Sequence, residues 1–309
     1  MNESDRPWRP QGWRREVVTT QEAGCSRRRR AVASVALAVA VLCACVAGPG
    51  TNGTPSPGAQ LSGAGPVSHE YLPGLAAYPH LPQDRDRAPV VVMVPGGSWR
   101  TANPSGLGGL AQELAASGIV AMPVEIRAAQ DGVVYPTPVE NILCAVADGV
   151  ATAEANGIEA GPVVVLGHSS GAHLSALAVL AAQDYSPRCP DPPVEPDALV
   201  GLAGPYDVRL AADLAEPLFG TGYETNPRLW DAGNPVLRAG LRSDVPVLLL
   251  HGDGDEVVPT SFTTEFAQAL RQAGHPTTVR ILAGVDHQDV YSASVAGKAV
   301  AAWVATLDR

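Results

Sequence analysis

The chain of 309 residues is long enough for one large α/β domain or two small ones, and its 46% hydrophobic residues suffice for a full core. Beyond residue 30 it has 13 basic and 27 acidic side chains, a formal net charge of −14. A surface of that acidity argues against nucleic acids and anionic membranes as partners.

Residues 1–47 have the pattern of a signal peptide. Eight arginines fall within the first thirty residues, and the uncharged, alanine-rich segment 31–48 follows them directly. A basic segment before a short apolar one is typical of exported proteins. The apolar run is also at the lower limit for spanning a bilayer, so an uncleaved N-terminal anchor is the alternative.

Residues 42–45 resemble a bacterial lipobox that ends at Cys45. Lipidation at Cys45 and ordinary cleavage near Ala47 both remain open, and both cysteines of this segment could simply be apolar residues of a signal peptide. In each case we expect a secreted or envelope-associated protein, outside the cytoplasm, with membrane contact through its N terminus only. The Gly- and Pro-rich residues 48–66 cannot bury a core and predict a flexible linker, which leaves 67–309 as the folded domain.

After the linker, apolar β-branched runs alternate with amphipathic stretches. The predicted strands are 90–94, 119–124, 163–166, 199–202, 245–250 and 277–282, and the predicted helices are 107–117, 139–156, 170–182, 262–272 and 291–307. This alternation is typical of an α/β fold, a doubly wound and mostly parallel sheet with helices on both faces. Between Pro205 and Ser243 the pattern weakens into short helices and turns, where we expect a small cap insertion.

The sequence GHSSG at 167–171 follows the predicted strand 163–166 directly and precedes a helical pattern. A G-x-S-x-G pentad between a strand and a helix holds its serine in a strained turn that only small flanking residues permit. Ser169 is therefore the predicted nucleophile, exposed at the start of the helix.

A serine hydroxyl needs a histidine as base, and the histidine needs a carboxylate to hold its tautomer. Asp253 and Asp255 follow the strand at 245–250, where catalytic groups of doubly wound sheets collect. His287 lies in the loop after the next strand, which gives the order serine, acid, histidine. We expect His287 to be the base.

Backbone donors for the tetrahedral oxyanion are the remaining requirement. The strand at 90–94 runs into Pro95, Gly96 and Gly97, so the N–H groups of Gly97 and Ser98 can turn inward. The N–H of Ser170, at the start of the helix, is the third predicted donor. This machinery needs no metal and no organic cofactor.

With these motifs, the chain from Tyr71 onward resembles α/β-hydrolase esterases and lipases that carry an HGGxW-type oxyanion loop, the hormone-sensitive-lipase-like, feruloyl-esterase-like and arylformamidase-like branch. The matching segments are PGGSW at 95–99, YPTPVEN at 135–141, GHSSGAH at 167–173, AGPYD at 203–207, HGDGDEVVP at 251–259 and DH at 286–287. The family pattern HGxxDxxVP implies Asp255 as the acid, and Asp253, between two glycines, reads as a turn residue. One departure is Pro95, which stands where the family usually has a histidine thought to brace the loop.

The motifs and the resemblance imply a serine hydrolase that cleaves small-molecule carboxylic esters through an acyl-enzyme, and the N terminus predicts that it is exported. Short acyl chains are expected because the cap is too small to line a long tunnel, and Trp99, Tyr135, Tyr206 and Trp230 are the expected pocket walls. An amidase, peptidase or arylformamidase-like activity on the same scaffold is the alternative. A non-catalytic binding protein of this fold usually lacks a triad member, and this chain has all three. The oligomeric state stays open.

Cys144 and Cys189 are the two cysteines of the folded domain. Cys144 lies in the helix before the nucleophile strand, and Cys189 lies in the proline-rich loop after the nucleophile helix. In an exported protein two such thiols more often pair than stay free. We expect a disulfide, with two buried thiols as the alternative.

Overall fold

The computed structural model of the chain describes residues 68–307. The expected signal peptide, the lipidation at Cys45 and the linker over 48–66 lie outside these residues. Within 68–307, no helix has both the length and the apolarity needed to cross a bilayer.

Eight strands occur in this part of the chain: β1 (His69–Leu72), β2 (Leu75–Ala77), β3 (Arg87–Val94), β4 (Val120–Pro123), β5 (Glu159–His168), β6 (Ala198–Leu202), β7 (Val247–Gly252) and β8 (Thr277–Leu282). Strands β3 to β8 form one parallel sheet in the order β4-β3-β5-β6-β7-β8, and β1 pairs with β2 in an antiparallel hairpin. The α/β-hydrolase fold class expected from the sequence is thereby confirmed, with β5 near the centre of the sheet.

The helices are α1 (Gly108–Ala116), α2 (Thr137–Ala155), α3 (Ser170–Leu180), α4 (Ala212–Phe219), α5 (Pro227–Ala232), α6 (Pro235–Arg238), α7 (Ser261–Ala273) and α8 (Lys298–Val304). Short 3-10 turns precede α1 and α4. The three short helices α4 to α6 lie in the predicted cap region, which we call the cap segment, residues 205–243.

The apolar side chains of the strands pack into two separate cores, one on each face of the sheet. On β3, Val90, Val92 and Val94 pack into the core that includes α2 and α3. Val91 and Met93 point to the opposite face and join the core that includes α1 and α8. Because successive side chains of a strand alternate between faces, a continuous β-branched run is what a sheet covered on both sides requires.

Two parts of the fold differ from the sequence-based prediction. The helix predicted over 291–307 is wrong in its first half, because Ser292 has extended backbone angles and separates a 3-10 turn from a π turn at Ala293–Gly297, with α8 following. The β1–β2 hairpin was not predicted, although Pro73 and Gly74 are a turn signal and Gly74 has a φ of 75°. The hairpin is held to the sheet by Glu125, which accepts hydrogen bonds from Ala76 N at 3.1 Å and from the hydroxyl of Tyr78 at 2.9 Å.

Cys144 of α2 and Cys189 of the loop after α3 form a disulfide, with their Cα atoms 5.0 Å apart. The bridge ties the proline-rich loop between α3 and β6 to the buried face of α2. The pairing expected from the sequence is thus present in the structure.

Candidate active site

Ser169 lies at the turn between β5 and α3, with φ of 53° and ψ of −125°. The flanking glycines make this turn sterically feasible. A β-carbon on Gly167 would lie 2.3 Å from the carbonyl oxygen of Gly171, and one on Gly171 would lie 2.4 Å from the carbonyl oxygen of Pro95. The positive φ of Ser169 is a strained backbone conformation, and such strain persists only where surrounding contacts hold the residue in place. The turn presents the hydroxyl of Ser169 at the carboxyl edge of the sheet.

The structure brings Ser169, His287 and Asp255 into one chain of hydrogen bonds. The Ser169 hydroxyl lies 3.0 Å from Nε2 of His287, and Nδ1 of His287 lies 2.7 Å from Oδ2 of Asp255. In this geometry Nδ1–H donates to the carboxylate, and Nε2 is free to accept the serine proton. The arrangement can activate a hydroxyl as a nucleophile.

The side chain of Asp255 is fully buried, and its carboxylate accepts four hydrogen bonds. Its Oδ1 accepts the backbone N–H groups of Val257 and Val258, each at 2.8 Å, and its Oδ2 accepts Nε2–H of His251 at 3.1 Å as well as the bond from His287. Burial alone would raise the pKa of Asp255, but the hydrogen bonds from the two histidines and Val258 outweigh it and hold the pKa well below the usual range of a carboxyl group. The carboxylate therefore stays ionised and fixed in orientation.

Asp253, the other candidate acid, forms no hydrogen bond or ion pair with His287. It is exposed, and its Oδ1 accepts the backbone N–H of Gly284 at 2.6 Å. Asp253 thus links the loop after β7 to the loop after β8, and it makes no contact with the histidine.

Two histidines that sequence reasoning gave no role support these groups. His168 precedes Ser169 and donates through Nε2 to the carbonyl oxygen of His287 at 2.8 Å, which anchors the loop that carries His287. Burial, and then the nearby His287, lower the pKa of His168 to about 4, so it is neutral at neutral pH. His251 also donates to the carbonyl of Val258, while its Nδ1 lies 2.7 Å from the hydroxyl of Thr263. Its position four residues before Asp255 was the available signal.

A cavity of about 430 Å³ opens onto the serine and histidine. It is lined by Pro95, Gly96, Gly97, Ser98, Asn103, Ser105, Gly106, Leu107, His168, Ser169, Val257, His287, Gln288 and Tyr291. Two of the predicted oxyanion donors, Gly97 and Ser98, therefore line the same cavity as Ser169. The third, Ser170, is the first residue of α3.

The predicted pocket walls are wrong, because none of the four aromatic side chains, Trp230 included, lines this cavity. Tyr206 is fully buried and stacks on Phe266, and the hydroxyl of Tyr135 points to the carbonyl of Ala232 at 3.1 Å. Trp99 points into the protein and is 3% exposed. The cavity is bounded instead by the 3-10 turn Pro104–Leu107 and by Tyr291.

Over residues 68–307, no cluster of three or more His, Cys, Asp or Glu side chains is arranged to hold a metal ion.

Curated relatives of this chain are esterases that are about twice as long as the matched region. This chain is 30% identical over 197 residues to Esterase LipC of Mycobacterium tuberculosis, and the aligned region covers 60% of this chain and 48% of LipC. The chain is 29% identical over 227 residues to Esterase LipQ of the same organism, and the aligned region covers 69% of this chain and 52% of LipQ. The chain therefore spans about half the length of the curated relatives it matches.

Solved structures share the fold. A truncated carbohydrate esterase from gut microbiota aligns with a TM-score of 0.67 and 19% identity, over 76% of this chain and 90% of that chain. The propionate-bound esterase Est2 of Thermogutta terrifontis aligns with a TM-score of 0.63 and 21% identity, over 79% of this chain and 93% of that chain. The BD-FAE family model matches residues 79–270, which include Ser169 and Asp255. By this match and the parallel sheet that carries the serine turn, the chain belongs to the BD-FAE family of α/β-hydrolases.

Proposed function

We propose that this protein is a serine hydrolase that cleaves carboxylic esters, with Ser169 as nucleophile, His287 as general base and Asp255 as the group that orients the base. The observation that carries the proposal is the continuous chain of hydrogen bonds from the Ser169 hydroxyl through His287 to Asp255. A serine that merely stabilised a turn would need neither a histidine at 3.0 Å nor a buried carboxylate behind it.

The reaction follows from the positions of these groups. His287 Nε2 takes the proton as the Ser169 oxygen attacks the ester carbonyl, and the backbone N–H groups of Gly97, Ser98 and Ser170 receive the negative oxygen of the tetrahedral intermediate. The imidazolium then protonates the departing alcohol, which leaves an acyl-enzyme. Water, deprotonated by His287, releases the acid and restores the serine. Asp255 stabilises the imidazolium in both steps and is not protonated.

The relatives support this substrate class. The names of LipC and LipQ describe esterases, and the Thermogutta terrifontis enzyme was solved with propionate and with butyrate. We infer small-molecule esters with short acyl chains, because the aliphatic lining of the cavity at Ser169 is limited to Pro95, Leu107 and Val257.

Export is part of the same proposal. The basic and apolar N terminus favours it, and the disulfide between Cys144 and Cys189 suits an oxidising compartment outside the cytoplasm. Cell fractionation tests this part: we expect the protein in the envelope or the medium, and full-length chain in the soluble cytoplasm would refute export.

The activity is tested with p-nitrophenyl esters of two to twelve acyl carbons. We expect turnover to be highest for the shortest acyl groups and to vanish in Ser169→Ala. A folded wild-type protein that hydrolyses no ester in the panel would refute the esterase proposal, and highest turnover at ten or twelve carbons would refute the short-chain part.

A further inference from the structure

The oxyanion loop, residues 95–99, has an unfavourable backbone conformation. Gly97, Ser98 and Trp99 follow one another with φ values of 149°, 52° and 57°. For the two residues that are not glycine, positive φ is sterically unfavourable. Such a conformation persists only where other contacts hold it, and the proposed donors Gly97 and Ser98 are part of it.

Backbone hydrogen bonds supply some of these contacts. The carbonyl of Gly97 accepts from the N–H groups of Arg100 and Thr101 at 3.0 and 3.1 Å, and the carbonyl of Trp99 accepts from Ala129 at 3.1 Å. Pro95, at the start of the loop, has no side-chain donor or acceptor. The side chain that fastens the loop is the indole of Trp99, whose Nε1–H donates to Nδ1 of His173 at 3.1 Å.

The surroundings of His173 leave its Nδ1 as the atom that accepts this hydrogen bond. His173 is fully buried, and its Nε2 lies 2.8 Å from the carbonyl oxygen of Gly233 in the cap segment. Because a carbonyl only accepts, Nε2 carries the hydrogen and Nδ1 presents its lone pair to Trp99. Burial lowers the pKa of His173 to about 4, so the neutral form is present at neutral pH. The two rings meet edge to face, with an interplanar angle of 87°.

We propose that Trp99 and His173 are a pair of positioning residues that aim the backbone N–H groups of the oxyanion loop at the carbonyl oxygen of the ester that Ser169 attacks. Helix α3 begins directly after Ser169 and carries His173 one turn later, so one rigid helix sets both the nucleophile and the loop. Neither Trp99 nor His173 lines the cavity, and their effect is indirect. This inference rests on the proposed serine hydrolase function.

The test compares Trp99→Phe, His173→Leu, His173→Asn and the double variant Trp99→Phe/His173→Leu in the full-length chain. A misplaced oxyanion loop weakens transition-state binding, so we expect kcat to fall by about 10- to 100-fold in Trp99→Phe and His173→Leu, with KM within about threefold of wild type. The double variant should be no slower than the slower single variant, because the two residues form one unit. His173→Asn, which keeps an acceptor near the position of Nδ1, should recover a substantial part of the loss.

The matched control is Trp230→Phe. Trp230 is also fully buried, and its indole Nε1–H donates to the carbonyl of Thr221 at 2.9 Å, outside the oxyanion loop. We expect this variant to lose thermal stability like Trp99→Phe while its kcat stays within about twofold of wild type. If His173→Leu fails to fold, Trp99→Phe and His173→Asn decide the question.

A second readout does not depend on turnover. The rate at which a fluorophosphonate labels Ser169 should fall in Trp99→Phe by a factor similar to that in kcat, since both reactions place a negative oxygen in the same site. Unchanged kcat and unchanged labelling in Trp99→Phe would overturn the inference, as would losses that multiply in the double variant. A wild-type chain that is labelled at Ser169 but hydrolyses no ester would refute the proposed function instead, and the labelling rates would still test this pair.

Discussion

The variants Asp255→Asn and Asp253→Asn test which of the two aspartates is the catalytic carboxylate. We propose that it is Asp255 and that Asp253 is a turn residue. In Asp255→Asn the amide oxygen must take the position of Oδ1, because two backbone N–H groups point there at 2.8 Å. The amide nitrogen then occupies the position of Oδ2, 2.7 Å from Nδ1 of His287. Since that nitrogen is a donor, His287 has to place its own hydrogen on Nε2, facing Ser169. The base can no longer accept the serine proton.

The magnitude follows from this change of tautomer. Amide substitution of a triad aspartate in serine proteases lowers kcat by about 10⁴-fold, which is about 5.5 kcal/mol of transition-state stabilisation. We expect a loss of about 10³- to 10⁴-fold here, because the second donor, His251, can turn entirely to the carbonyl of Val258 at 2.8 Å and limit the structural disturbance. Asp253→Asn keeps the oxygen that accepts from Gly284, so kcat should stay within about twofold of wild type.

Both variants are purified and assayed for kcat with p-nitrophenyl butyrate at pH 7 to 8, with circular dichroism and melting temperature as evidence of folding. The two substitutions are chemically identical and lie two residues apart, so each is the control for the other. An Asp255→Asn variant that keeps more than a tenth of the wild-type kcat, or a larger loss in Asp253→Asn, would refute the assignment.

Three further predictions concern labelling, the disulfide and acid stability. Ser169→Ala should abolish fluorophosphonate labelling while Ser170→Ala, which keeps its backbone N–H, should retain it; labelling that survives in Ser169→Ala would place the nucleophile elsewhere. Removing the disulfide in Cys144→Ala/Cys189→Ala should lower the free energy of unfolding by about 4 kcal/mol in urea titrations, from the loop closed by cysteines 45 residues apart; no change in the urea midpoint would contradict this. Burial lowers the pKa of His173 to about 4, so between pH 6.5 and 4 the unfolded chain binds more protons there and the folded state loses up to about 3 kcal/mol as the pH falls. Wild type should therefore lose more stability than His173→Asn between pH 7 and pH 4, and equal losses would contradict the assignment.

Much of the architecture could be predicted from the sequence because its causes are local. The β-branched runs at β3 and β5 are buried on both faces, and the small residues around Ser169 allow its turn, so both leave a pattern in neighbouring residues. The chain order of Ser169, Asp255 and His287 also follows from where the strands end. Family membership, inferred from the same motifs, is confirmed by the match over residues 79–270.

Contacts between distant segments were decided by the tertiary structure alone. From the sequence, Trp99 could equally line a pocket or pack in the core. In the structure its indole points into the protein and donates to Nδ1 of His173, 74 residues away. The carbonyl of His287 likewise meets His168 across 119 residues of chain. The hydrophobic periodicity of a sequence indicates which side chains are buried. It does not indicate their hydrogen-bond partners, because these depend on which elements the strand order of the sheet brings together. The sequence by itself thus determined the strands, the serine turn and the candidate triad, and only packing decided which aromatic and histidine side chains hold the oxyanion loop and the base in place.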